Sequence, residues 1–375
     1  MARDSIVAET AARMFRDACD PGTVNRAADA AWKAPAWAAL EEAGLTLGWV
    51  PESLGGAGAE LADGFAVLRE AGRGAVALPV AETLLGGWLL AGAGIASPKG
   101  AMACGPAREG DRAVLGKGGT VSGRLRAISF AREARHLALL VEREGGGEAV
   151  ALVEAAAVRI ADGASIAGDA LNTVELDRVR PAAVKDAPAG LDREALMLIG
   201  AAVRSVQMAG ALEAILDLAV AYANERVAFG RPIAKFQAVQ HNLARLAGEV
   251  AAAIAAAGSA ADAIAEHQKS GFPPPLTPPR KGEGNPSAAS EEEGVFLEAA
   301  SAKIRVGEAA GEGAAIAHQV LGAIGFTREH TLHRFTRRLW AWRDDFGNES
   351  QWAVKLGRLV AAKGADALWP MLAAR

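Results

Sequence analysis

The period of the hydrophobic pattern changes twice along the chain. In the first hundred residues apolar side chains recur three and four positions apart, as they do on one face of a helix. That spacing predicts helices over residues 27–40, 61–72 (Leu61, Phe65 and Leu68 on one face) and 80–91, with Ala43-Gly44 closing the first. Between the first two, Val50-Pro51-Glu52-Ser53-Leu54-Gly55-Gly56-Ala57-Gly58 is too rich in Pro and Gly for a helix or strand and predicts a loop.

From about Met102 to Val184 the pattern shortens. Residues 121–130 alternate, 136–142 and 148–153 are compact apolar runs, and 170–176 brings in Thr and Val. Gly145-Gly146-Gly147 and Asp162-Gly163 supply turns. Short strands at such intervals predict a small β-domain, a barrel or a sandwich. After Leu191 the helical period returns, over 193–223, 236–257, 291–318 and 350–362, lengths that suit a bundle.

The expected fold class is therefore mainly α with a central β-domain. Its divisions are a helical domain over 1–100, a β-domain over 101–187 and a helical bundle over 188–375. Six of the 16 prolines fall between Gln268 and Ser287, so a Pro-rich loop is expected over about 268–290. A tolerated insertion between two helices accounts for it better than a ligand for a proline-binding domain.

Composition narrows the function. The chain is 51% hydrophobic and 22% charged, with 40 Lys+Arg against 44 Asp+Glu. It lacks the basic surplus of a nucleic-acid binder. Cys19 and Cys104 make neither a disulfide framework nor a CxxC zinc motif, and a reducing cytoplasm is the expected location. The opening MARDSIVAETAARMF places Arg3, Asp4 and Glu9 ahead of any apolar block, unlike a secretory leader. No run of about 18 uncharged apolar residues occurs, so no membrane span is expected. The surfeit of Ala and the 43 Gly suit closely packed helices, and a GC-rich coding bias explains the alanines equally well.

Several chemistries are unsupported. There is no GxSxG, HExxH or Walker loop, and Gly322-Ala323-Ile324-Gly325 lies between helices rather than in a βαβ unit. His330 and His333 lack a third partner, so no metal is expected. Two segments are more informative. In 225–237, Arg226, Arg231 and Lys235 gather positive charge at a helix–helix turn, Phe229 adds a flat apolar surface, and Gln237 adds an amide. A phosphate or heterocycle site and a merely solvated hairpin tip both satisfy that pattern. In 319–330, Gln319 is followed by Gly322 and Gly325, whose lack of side chains admits a close ligand or backbone. His333, Arg334, Arg337 and Arg338 then form a cationic stripe that suits phosphate or solvent.

Together these segments resemble the acyl-CoA dehydrogenase family. The likeness rests on the Val50-Pro51-Glu52…Gly55-Gly56-Ala57-Gly58 loop, on Arg226-x-x-Phe229-Gly230-x-Pro232-Ile233-x-x-Phe236-Gln237, and on Gln319-x-x-Gly322-x-x-Gly325-Phe326, in that order. It implies an N-terminal helical domain, a middle β-barrel and a C-terminal four-helix bundle. It also implies non-covalent FAD and an acyl-CoA substrate desaturated between its α- and β-carbons, with a carboxylate taking the α-proton. An electron-transfer flavoprotein or similar acceptor would follow. By the same resemblance Arg226, Phe229 and Gln237 contact the FAD diphosphate and adenosine end. Gln319, Gly322 and Gly325 line the cofactor across a subunit interface, which implies a homo- or hetero-oligomer, dimer or tetramer.

Two departures qualify this. Many members carry Glu-Gly-Thr, the Glu being the base, where this chain has Asp344-Asp345-Phe346-Gly347-Asn348-Glu349. Aligned on Gly347, Phe346 takes the base position; a one-residue slip makes Asp345 the base, with Asp344 and Glu349 as weaker candidates. A base elsewhere in the chain, or none, are the alternatives. The Thr-Glu-Pro…Gly-Ser-Asp signature survives only as an echo in Gly105–Asp111. Such erosion resembles subunits of heteromeric acyl-CoA dehydrogenases that help hold FAD while a partner supplies the base. A flavin oxidase or monooxygenase on the same fold is a third reading.

Overall fold

The computed structural model describes residues 5–27, 29–268, 286–366 and 369, with 286–292 as backbone only. Five helices come first: α1 (Ile6–Cys19), α2 (Pro21–Arg26), α3 (Lys33–Glu42), α4 (Leu61–Arg73) and α5 (Val80–Gly92). The Ser5 hydroxyl caps α1 by accepting from the Ala8 N–H, and Ala8, Ala11, Phe15 and Cys19 form its buried face. The helix expected over 27–40 begins later, at Lys33. Asp20 caps the short α2, which ends at Arg26, and residues 29–32 turn before α3. Alanine fits a turn's surface as readily as a helix face, so its spacing carried no boundary.

The strands are β1 (Met102–Gly105), β2 (Arg112–Leu115), β3 (Val121–Ser129), β4 (His136–Arg143), β5 (Glu148–Glu154), β6 (Arg159–Ala161), β7 (Leu171–Val179) and β8 (Ala183–Asp186). They form one mixed sheet in the order β6-β7-β3-β2-β4-β5-β8, with β1 parallel to β4. The glycines at 145–147 turn β4 back into antiparallel β5, pairing His136 with Glu154 and Glu142 with Glu148. The centres of both strands are buried without alternation, because α5 lies against β1, β4 and β5.

The bundle comprises α6 (Arg193–Glu225), α7 (Gln237–Gln268), α8 (Pro286–Leu321), α9 (Leu332–Asp344) and α10 (Glu349–Lys363). A small hairpin, β9 (Val227–Ala228) and β10 (Arg231–Pro232), replaces the simple turn expected between α6 and α7. Of the expected Pro-rich loop, 269–285 lie outside the described residues, whereas 286–290 open α8. Proline suits a helix start, where its missing N–H is not needed.

Helices α6 and α7 are each long and apolar enough to cross a membrane, a match that the expectation of no span did not foresee. The apolar stretch of α6 is wholly enclosed, packed by α4, α7, α8 and α9. Two glycines make the α4 contact unusually close. A Cβ on Gly72 would stand 2.0 Å from the Gln207 carbonyl oxygen, and one on Gly210 would stand 2.1 Å from that of Arg69. The two helices therefore meet backbone to backbone, and Arg69 and Arg73 clasp Glu213 beside the seam.

At the centre of α6, Arg204 is 3% exposed. Its Nη2 donates to Glu82 Oε1 of α5 at 2.5 Å and Nη1 to Gln207 Oε1 at 2.6 Å. Its Nε donates to Asp345 Oδ2, just past α9, at 3.0 Å, and Nη2 also reaches Ser129 Oγ of β3 at 3.5 Å. Burial pushes the Glu82 carboxyl up, against the pull of Arg204. One guanidinium thus joins the N-terminal helices, the sheet and the bundle. Arg204→Met leaves buried Glu82 and partly buried Asp345 without their cation and is expected to cost about 3–5 kcal/mol in denaturant unfolding. Adding Glu82→Leu should recover part of that loss; if the double variant is no more stable than the single, the pair is not what the cation holds.

Candidate functional site

Two neighbouring cavities form where β3, α6 and the end of α9 meet. The first, about 410 Å³, is walled by Ser129, Phe130, Arg204, Trp340, Trp342 and Asp345. The second, about 390 Å³, presents Arg108, Arg126 and Lys355 beside Phe346, Asn348 and Trp352. Arg108 and Asp344 line both. A larger cavity of about 640 Å³ beside the 50–62 loop is walled by Glu60, Asp262 and Glu266, a lining that repels anions.

The first cavity owes its wall to irregular backbone. The β3–β7 register shifts between Leu125 and Ile128, with Ala127 at φ +54° and Phe130 at +56°. That bulge carries Ser129 and Phe130 to the cavity, as bulges beside sites do. Trp340 and Trp342 come from the last turns of α9, and Arg204 lies over the Trp342 ring with its carbon 6.0 Å from the centroid. Aromatic faces with a hydroxyl and a guanidinium at the margin fit a planar heteroaromatic ring such as flavin. Glu109 and Asp344 line the second cavity too, and Lys355 pairs with Glu109 at 3.0 Å and Arg126 with Asp111 at 2.6 Å. Arg108 is the lining cation without an ion pair among the described residues and the one free to meet a phosphate or a polarised carbonyl.

Between the cavities runs a turn that the structure pins from three sides. Buried Lys303 of α8 donates from Nζ to the Trp342 carbonyl at 2.7 Å, beside the bond that the carbonyl accepts from the Asp345 N–H at 3.3 Å. Trp352 Nε1 donates to the Phe346 carbonyl at 2.9 Å. Asn348 and Gln351 form a capping box that starts α10. Phe346 is 4% exposed at φ +54°, and its ring lies flush on Gly200 of α6, where a Cβ would stand 2.3 Å from Cδ1. Burial pushes the Lys303 ammonium down from 10.5 to about 7, against the nearby Asp345 carboxylate.

The sequence candidates fall in separate places. Asp345 lines the first cavity, but its Oδ2 already accepts from Arg204. Arg226 ends α6, Phe229 sits at the tip of the β9–β10 hairpin and Gln237 opens α7; all three are exposed, Phe229 at 96%. Gln319 is exposed near the end of α8, Gly322 takes φ +63° and Gly325 is buried against Leu321 and His318. An edge-to-face contact of Tyr222 with His330 ties the end of α6 to the segment after these glycines. Sequence reasoning missed Ser129, Phe130, Arg204, Trp340 and Trp342. Only Arg204 left a signal, as a lone cation in the apolar run from Ala195 to Leu212.

Comparison with known proteins bears on this geometry. The family model for the acyl-CoA dehydrogenase N-terminal domain matches residues 2–99, and that for the C-terminal domain matches 193–280. The acyl-CoA dehydrogenase IpdE2 of Mycobacterium tuberculosis is 28% identical over 333 residues, 88% of each chain. The ChsE4–ChsE5 complex from Mycobacterium tuberculosis superposes with TM-score 0.79 at 22% identity, over 97% of this chain and 100% of that one. A glutaryl-coenzyme A dehydrogenase–glutaryl-CoA complex gives 0.77 at 21%, over 94% of each. These two structures share the fold.

Two outcomes are expected at the turn. Gly200→Ala forces the methyl into the Phe346 ring and should cost about 1–3 kcal/mol, and the pair with Phe346→Ala should be less destabilised than the sum of the single changes. Strict additivity would mean the two do not touch. Lys303 binds fewer protons folded than unfolded between about 7 and 10.5. Stability relative to Lys303→Met should therefore be level below that window and rise through it, by at most about 1.4 kcal/mol per pH unit. Parallel pH profiles for the two proteins would contradict this.

Proposed function

The chain belongs to the acyl-CoA dehydrogenase family of FAD-dependent oxidoreductases, and on that premise we propose that it desaturates the Cα–Cβ bond of an acyl-CoA held in the second cavity, beside a flavin ring in the adjoining aromatic one. One observation carries the reading: an aromatic-walled cavity and a polar one lined by charges of both signs have a common wall at Arg108 and Asp344. FAD, when bound, supplies a two-electron acceptor for the β-hydride.

The chain's residues do the rest. Phe130, Trp340 and Trp342 enclose the ring and keep water from it, while Ser129 and Arg204 offer donors at its edge. Asp345 orients Arg204 through Nε. Arg108 draws in the thioester and its phosphates, while Arg126 and Lys355, paired with Asp111 and Glu109, add polar wall. Arg226, Phe229 and Gln237 hold the FAD diphosphate and adenosine end, and Gln319, Gly322 and Gly325 run along the cofactor from across an interface. The exposure of Arg226, Phe229, Gln237 and Gln319 in the single chain supports a ligand that arrives with a neighbouring subunit, hence a dimer or tetramer. Two buried, free thiols, Cys19 and Cys104, suit a cytoplasmic location. An electron-transfer flavoprotein or similar acceptor takes the electrons onward.

Phe346 favours a second reading. A buried phenyl stands at the position the family's base occupies by resemblance, which supports a subunit that contributes to FAD binding while a partner supplies the base. An anaerobic titration of the purified, yellow protein with a panel of acyl-CoAs separates the two: bleaching of the flavin band by one of them supports the first. A wild type that never bleaches, beside a Phe346→Glu variant that does, supports the second. Arg226→Ala should weaken FAD binding by about 1.5–3 kcal/mol, the worth of a charge-assisted hydrogen bond. Unchanged affinity would remove Arg226 from the site.

A further inference from the structure

Desaturation removes a proton and a hydride from adjacent carbons, so the group that takes the proton has to border both the acceptor's cavity and the substrate's. Three carboxylates lie where α9 gives way to α10: Asp344 at the end of α9, Asp345 after it and Glu349 at the start of α10. Asp345 is 12% exposed and committed through Oδ2 to Arg204. Glu349 accepts from Arg343 Nε at 2.5 Å and packs over Gly307, outside both cavity walls. Asp344 is exposed, makes no hydrogen bond or ion pair among the described residues, and lines both cavities. Phe346, where the base stands by resemblance, has no acid to offer.

We propose that Asp344 is the residue that takes the α-proton of the bound thioester, an assignment that rests on the dehydrogenase reading above. The α C–H bond breaks and its proton passes to an Asp344 carboxylate oxygen. The electron pair left on the α-carbon would become the second bond between Cα and Cβ, with FAD, when bound, supplying the acceptor for the β-hydrogen and its electron pair. Arg108, on the same shared wall, offers a guanidinium to the carbonyl oxygen as negative charge grows there. Asp344 then returns its proton to water on its exposed side. Asp345 is a positioning residue that acts through Arg204.

The test reads proton transfer apart from turnover. Flavin-stripped protein is incubated with a saturated straight-chain acyl-CoA in D2O, and deuterium at the α-carbon is followed by mass spectrometry; FAD-loaded protein is titrated anaerobically in parallel. Wild type is expected to exchange and to bleach. D344N should lower exchange by about 100-fold or more, the usual contribution of a positioned base, while still binding acyl-CoA by calorimetry, and D344E should restore much of it. D345N should lower the thermal midpoint and reduce exchange less than D344N does. A D344N protein that exchanges like a bleaching wild type overturns the assignment and leaves the dehydrogenase reading standing. A wild type that neither exchanges nor bleaches, beside an F346E protein that does both, overturns the two together.

Discussion

A guanidinium buried inside a helix bundle has to be surrounded by acceptors, and much of this molecule is arranged around that requirement. Arg204 sits in the buried part of α6, only 3% exposed, so protein acceptors have to satisfy most of it. Its acceptors come from α5, from α6 itself, from β3 and from the residue after α9. Apolar packing would hold these parts together in several relative settings, because it has no direction. The fork of the guanidinium selects one, and the same selection sets the wall of the aromatic cavity.

The turn after α9 shows the opposite strategy. Where Arg204 gathers charge, Phe346 removes it: a left-handed phenylalanine needs a support that holds it in place, and Gly200 and Trp352 provide one. The carboxylates on either side then face different surroundings, Asp345 inward to the buried cation and Asp344 outward to both cavities. Adjacent residues of the same type thus acquire separate duties from backbone direction alone.

The helix–strand–helix order was legible because period is a property of neighbours in sequence. The enclosed α6 was expected as a long helix over 193–223, whereas Glu82 and Arg204, charges inside apolar helices, went unread. The cavity walls were harder to read. A register shift in β3 changes the phase of alternation, so Ser129 and Phe130 point where simple alternation does not send them. Trp340 and Trp342 lie two apart on a helix, a spacing that names no common face. The hairpin at 227–232 is too short to impose a period, and alanines blurred the start of α3. Phe346 was noticed only through resemblance to other chains, since nothing in its own neighbourhood says that a carboxylate is missing.

The meeting of α4 and α6 at Gly72 and Gly210 has a mechanical consequence. Most helix pairs touch through interlocked side chains that can change rotamer and let one helix creep along the other. Here main chain lies on main chain, with no flexible groups between to take up strain, so the seam behaves as a weld rather than a bearing. Whatever opens to admit a long ligand must yield elsewhere.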